Sequence, residues 1–194
     1  MNIANRIKEF EFIWYQLTRP LSYLKIKHDD KWIYDWMVPL LFTLASILIA
    51  TKLIGLDGVT NDGGLIDNIV QFISNLPGFF IAALAAVATF NKDDIDKTMD
   101  NPPRIEIIAH GNVRMIEMTR RRFLCVLFSY LTAISIFIVI FTRMALAIEY
   151  GADNDYFAWI GVTLFFFIFW QMITATVLGL YYLGERLHTP QSVI

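Results

Sequence analysis

Residues 156–183 read YFAWIGVTLFFFIFWQMITATVLGLYYL, and no Asp, Glu, Lys, Arg or His occurs among them. An apolar run of this length exceeds the roughly 20 residues that a helix needs to cross the hydrocarbon core of a bilayer. Water-soluble helices keep one polar face, which this run lacks. The run therefore predicts a transmembrane helix, and it is the most apolar of four such blocks.

The other three blocks have a comparable length and few charges. They cover Trp36–Leu56, Ile69–Phe90 and Phe123–Ile148. The whole chain is 18% charged, whereas soluble domains have about 25%. We therefore expect an all-α integral membrane protein with four transmembrane helices. Residues 36–183 form the membrane domain, with the segment 1–35 before it and a tail at 184–194.

Lys and Arg are distributed unevenly between the segments that connect the four blocks. Segment 1–35 holds six and the loop 91–122 holds seven, whereas the connections 57–68 and 149–155 hold none. Basic residues stay preferentially on the cytoplasmic side of the membrane. The pattern predicts a multi-pass protein of the bacterial inner membrane with both termini and the loop 91–122 in the cytoplasm.

Two basic residues, Lys52 and Arg143, lie instead near the predicted outer ends of their helices. Long basic side chains reach along a helix to place their charge in the interface. Both would arrive beside acidic outer connections, so we expect outer ion pairs at these positions. Simple neutralisation of the charges and an outward-facing latch that senses a signal are both open.

The N-terminal segment carries one apolar stripe at alternating steps of four and three residues, with charged residues around the rest of the circumference. Its members are Ile3, Ile7, Phe10, Trp14, Leu17 and Leu21. This spacing predicts an amphipathic helix, and its charge favours a position in the plane of the membrane interface, against membrane lipid. Docking of the stripe on a partner protein is the alternative.

The cytoplasmic loop 91–122 contains a rigid Pro102-Pro103 pair and then the alternating run Arg104-Ile105-Glu106-Ile107-Ile108, which predicts an extended segment. We expect the next helix to open at Gly111 or Asn112 and to run from Val113 into the third span. An extended segment can add a strand to a partner's sheet. The run is therefore a candidate binding site for a cytoplasmic protein, and packing of its isoleucines within this protein is the alternative.

Small residues recur at every fourth position of the second span, at Gly78, Ala82 and Ala86. Such a ridge lets two helix backbones approach closely in lipid. It predicts a close helix contact, either within one protomer or between protomers. Pro77, just before the ridge, predicts a bend in this span.

The chain lacks the residue groupings that enzymes, metal sites and ion-coupled transporters need. His28, His110 and His188 are far apart, Cys125 is the single cysteine, and the middles of the spans hold no ionisable side chain. The net charge of −2 gives no general affinity for nucleic acid. We expect no catalytic residues, no cofactor, no metal and no direct binding of nucleic acid.

In size, four spans, internal termini and a large charged central loop, the chain resembles KwaA, the membrane subunit of the bacterial Kiwa anti-phage defence system. The resemblance implies a homo-oligomer, such as a tetramer, that senses infection at the inner membrane and acts with a cytosolic DNA-binding partner. The function expected is a non-enzymatic subunit that oligomerises and recruits or regulates a cytoplasmic protein. A pore-forming effector and a scaffold or assembly factor of a membrane complex are the alternatives.

Overall fold

The computed structural model describes residues 13–28, 30–91, 95–98, 102–109, 112–147 and 155–184. The protein is mostly helical and has four helices that are long and apolar enough to cross a membrane. They are α1 (Ile33–Thr60), α2 with α3 (Leu65–Ile73 and Leu76–Thr89), α4 (Arg120–Leu146) and α5 (Asp155–Gly184). The predicted number and type of spans are thus confirmed.

The helix α1 is regular only in its middle part. Val38–Ile49 is α-helical, and π-helical turns flank it at Ile33–Met37 and Ala50–Ile54. Gly55 has φ 77°, a conformation that glycine adopts without strain, so the helix is interrupted there before Gly55–Thr60. The second span is also broken, because α2 ends at Ile73 and α3 begins at Leu76 with Pro77 in its first turn.

The four spans form an open row in the order α3, α4, α5, α1. In the most apolar stretch of each span, 44% of the residues are buried in α4 and 33% in α5, against 17% in α1 and 17% in α2–α3. The two central helices therefore carry most of the core. The helices at the two ends of the row keep large apolar faces turned outward.

A polar contact joins the two central helices within this apolar core. The Tyr130 hydroxyl on α4 donates a hydrogen bond to Oε1 of Gln171 on α5, at 3.0 Å. The ring of the same Tyr130 also stacks on that of Tyr23, with centroids 4.9 Å apart. Tyr23 belongs to the 3₁₀ helix Arg19–Lys25, which thereby docks against α4.

The contact between α5 and α1 is largely aromatic. Trp170 donates from Nε1 to the Ser46 hydroxyl at 2.9 Å and stacks on Phe42 with a centroid distance of 4.6 Å. Nearer the start of α1, Trp36 lies 5.7 Å from the ring of Phe167. Aromatic pairs of this kind add about 0.5–1.5 kcal/mol beyond the area they bury, and they hold α1 at the end of the row.

The loop between α3 and α4 contains a β-hairpin, so the fold is not purely α-helical as predicted. Strand β1 (Arg104–Ala109) pairs antiparallel with β2 (Asn112–Glu117). The prediction of a helix from Val113 is wrong, because that segment is a strand and α4 begins only at Arg120. Thr119 caps α4, its hydroxyl accepting a hydrogen bond from the backbone N–H of Arg122 at 3.3 Å.

Part of the predicted N-terminal stripe lies outside the described residues, namely Ile3, Ile7 and Phe10. Residues 13–17 are helical, and the side chains of Trp14 and Leu17 are exposed. The amphipathic interfacial helix stays a prediction, and so does the cytoplasmic tail, of which only Gly184 is described.

Candidate functional site

The hairpin is fixed to the rest of the chain at its base, on both edges. On the β1 edge, Lys27 and Arg104 exchange two backbone hydrogen bonds, of 3.0 and 3.1 Å. On the β2 edge, Thr98 forms an isolated bridge with Thr119. These contacts place the hairpin at the end of the helix row where α1 and α4 begin and α3 ends, which we call the hairpin end.

Beyond its base, the hairpin presents backbone groups that have no strand beside them. In an antiparallel pair, successive residues direct their N–H and C=O groups alternately toward and away from the partner strand. Arg104 directs these groups to Lys27, away from β2, and so the alternation also directs those of Glu106 and Ile108 away from β2. Within the described part of the chain, no strand pairs with β1 at these two positions.

The five residues predicted to bind a partner, Arg104 to Ile108, thus lie together on β1, but they are not equivalent. Ile105 is 2% exposed and belongs to the hydrophobic core, which at this position favours the alternative of packing within the protein; binding of a partner by the segment stays a prediction. Arg104 is exposed, and its guanidinium lies 3.6 Å from the Glu117 carboxylate across the hairpin. Glu106, Ile107 and Ile108 are described by their backbone alone.

A buried carboxylate, absent from the sequence-based predictions, lies at the start of α1. Asp35 is 2% exposed. It accepts a hydrogen bond from the Tyr23 hydroxyl at 2.8 Å and pairs with Nζ of Lys31 at 2.5 Å. Burial, followed by the nearby Asp35 charge, raises the pKa of Tyr23, which keeps its hydroxyl protonated as a donor. The four-residue spacing of Lys31 and Asp35 on a helix was the available signal.

Next to this cluster, a cavity of about 650 Å³ opens between the N-terminal segment, α1 and the hairpin. We call it the interfacial cavity. Its lining comprises Ile26, Lys27, His28, Lys31, Trp32, Asp35, Trp36, Pro102, Arg104 and Met115. Among the described residues of this lining, three are cationic and one, Asp35, is a carboxylate.

Arg121, from the triple arginine at the start of α4, ties the end of α3 to the loop. Its guanidinium donates to the carbonyl oxygens of Val87 and Ala88 at 3.0 Å and of Phe90 at 2.8 Å. It also holds the Asp96 carboxylate through two hydrogen bonds, of 2.7 and 2.9 Å. The hydrogen bonds from Arg121 hold the pKa of Asp96 below its usual range.

The predicted packing ridge and the predicted outer ion pairs occupy different surroundings. Gly78, Ala82 and Ala86 on α3 are all exposed, so the ridge faces outward from the described part of the protomer, and the predicted close helix contact stays a prediction. Arg143 forms an ion pair with Asp67, which joins α4 to α2 at the opposite end of the row. Lys52 is exposed, and no ion pair to it occurs in the described ranges.

Over the described residues, no group of three or more His, Cys, Asp or Glu side chains is arranged to hold a metal ion. Comparison of the chain with protein families, with curated proteins and with solved structures gives no match. The resemblance to KwaA therefore stays a prediction. The hairpin and the interfacial cavity beside it are the candidate functional site on geometric grounds.

Proposed function

We propose that this chain is a non-enzymatic subunit of the bacterial inner membrane that assembles with copies of itself and recruits a cytoplasmic protein through the hairpin. The observation that carries the proposal is the hairpin's construction. Its base is fixed by Ile105 in the core and by the Lys27 bridge, while the β1 edge beyond the base offers backbone groups at Glu106 and Ile108.

Strand addition to such an edge takes its affinity from main-chain hydrogen bonds and its selectivity from alternate side chains. A fixed base favours it because little conformational entropy is then lost when the partner binds. Exposed edges are ordinarily protected against such pairing, so an edge that no described strand covers, on a base that is anchored to the core, favours use by a partner.

The orientation in the proposal rests on charge. The described parts of the basic segments 1–35 and 91–122 lie at the hairpin end, which favours the cytoplasmic side for it. Self-assembly is supported by the outward faces of α1 and α3 at the ends of the row, where the small residues Gly78, Ala82 and Ala86 permit a close approach of a second copy. The resemblance to KwaA extends this proposal to a role in sensing phage infection.

The test introduces a proline at a position of β1 whose backbone N–H only the partner would use. Glu106→Pro removes an N–H that β2 does not use, and edge positions accept proline. Glu106→Ala removes the same carboxylate and keeps the N–H, so it is the matched control. We expect Glu106→Pro to reduce the amount of co-purified partner by roughly tenfold, with Glu106→Ala near wild type, as measured by quantitative mass spectrometry of the chain purified from its own cells.

A photo-crosslinking side chain at the exposed Met115 identifies what meets the hairpin. A cytosolic protein whose capture is lost in Glu106→Pro supports both the orientation and the docking edge. Capture of another copy of this chain alone, or equal co-purification with both variants, would show that the hairpin edge does not recruit a partner.

A further inference from the structure

We infer that the interfacial cavity binds the phosphate headgroup of an anionic phospholipid. The first reason is its charge. Among the described residues that line it, Lys27, Lys31 and Arg104 are cationic and Asp35 is the one carboxylate. Asp35 is already held by Lys31 and by the Tyr23 hydroxyl. The ion pair between Arg104 and Glu117 spans 3.6 Å and is more than half exposed, so it is weak and leaves Arg104 available to an anion.

His28 adds a hydrogen-bond donor to the same wall. The backbone N–H of Asp30 donates to Nδ1 of His28 at 3.3 Å, so Nε2 carries a proton and can donate. Phosphate oxygens accept several hydrogen bonds at once, and a lining of ammonium, guanidinium and imidazole groups matches them. The volume of about 650 Å³ is ample for a headgroup.

The second reason is the order of side chains along the adjoining face of α1, which favours a lipid over a soluble phosphate compound. The cations are followed by Trp32 and Trp36, 58% and 64% exposed, and then by the exposed Leu40. These three positions are four residues apart and share one side of the helix. Cation, aromatic ring and aliphatic chain succeed one another as headgroup, interface and acyl region do in a bilayer leaflet.

Basic pockets beside transmembrane helices are general binding places for anionic headgroups. Here the lipid would contact the N-terminal segment, α1 and the hairpin together, and it would stabilise the hairpin's position relative to the membrane. The inference goes beyond the proposed function, because it concerns a ligand of the chain itself and its test requires no protein partner.

The experiment uses the full chain in detergent, with bound lipid counted by native mass spectrometry during titration. The probes are short-chain phosphatidylglycerol, phosphatidylcholine with the same acyl chains, and glycerol 3-phosphate. We expect phosphatidylglycerol to bind at one site per chain and considerably more tightly than either of the others. Removing cations by Lys27→Gln and Arg104→Gln should weaken that binding by about fivefold for each charge lost.

Lys25→Gln is the matched control, because Lys25 is exposed, lies two residues from Lys27 and does not line the cavity. It should bind within about twofold of wild type. The Lys27 change leaves the backbone bridge to Arg104 intact, and unchanged thermal unfolding of each variant verifies the fold. Equal binding of phosphatidylcholine, or an equal loss in Lys25→Gln, would overturn a headgroup site. Equal binding of glycerol 3-phosphate would identify a soluble phosphate ester instead of a lipid.

Discussion

Two helix faces in this protein carry small residues, and they have opposite surroundings. The face of α3 with Gly78, Ala82 and Ala86 is exposed, and a Cβ added at Gly78 would meet no atom within 4 Å. Gly179 on α5 is buried, and a Cβ there would lie 2.9 Å from Cδ2 of Leu127 and 3.6 Å from the Phe128 ring. The regular ridge thus faces outward, whereas the isolated glycine makes the close contact.

The difference shows that a four-residue repeat of small side chains identifies a face that can pack closely, but not where its partner is. The contact of α3 with α4 uses larger side chains, among them Phe80 and Val87, which are buried. Polar contacts also join both ends of this span to α4, from Arg121 to the end of α3 and from Arg143 to Asp67 on α2. The ridge is left facing outward.

The largest effect is expected at Gly179. Replacing it by leucine would force a side chain into the space of Leu127 and Phe128 on α4, and overpacking of this kind costs about 3 kcal/mol. The melting temperature of the detergent-solubilised protein should fall markedly. Gly161→Leu on the same helix is the control, because Gly161 is exposed and a Cβ there meets nothing within 4 Å. Similar melting temperatures for both variants would show that Gly179 does not make a close contact with α4.

A smaller and different effect is expected on α3. Ala82→Leu should leave the unfolding of the protomer unchanged and weaken self-assembly by on the order of tenfold, since the added side chain separates two backbones at a close interface. Ala83→Leu, one residue further on, is directed toward the core and should instead lower the melting temperature. Size-exclusion chromatography with light scattering gives the oligomer mass. An unchanged mass for Ala82→Leu would mean that the outward ridge contacts lipid only.

The smallest effect is expected for the ion pair between Arg121 and Asp96, beside the end of α3. Because the pKa of Asp96 is lowered in the folded protein, its ion pair with Arg121 stabilises the fold above the ordinary carboxyl pKa of roughly 4. This contribution disappears as the pH falls through the lowered value. The melting temperatures of wild type and Asp96→Asn should therefore differ slightly at neutral pH and converge in acid. A difference that persists below that pKa would show that the charge of Asp96 is not its cause.

The four spans could be predicted from the sequence because their signal is local. Hydrophobicity over a window of about 20 residues decides whether a helix can reside in lipid, and all four blocks appear as helices within a few residues of the predicted bounds. The sequence predicts only the first of the two strands of the hairpin. The alternation of Arg104 to Ile108 indicates β1, but the sequence analysis predicts the start of a helix where β2 lies. The two residues that separate the strands, His110 and Gly111, were the missed signal, because glycine in second place is typical of a two-residue hairpin connection.

The sequence by itself determined that this chain has four membrane-length helices and a basic, partly extended segment between the second and third. Only the tertiary structure decided which helix faces meet, that Ile105 packs in the core, and that Lys27, Lys31 and Arg104 surround one cavity. The physical reason is the range of the interactions. Transfer of a helix to lipid depends on its own side chains, whereas the cavity and the Gly179 contact join residues that are distant along the chain and depend on how α1, α4, α5 and the hairpin pack together.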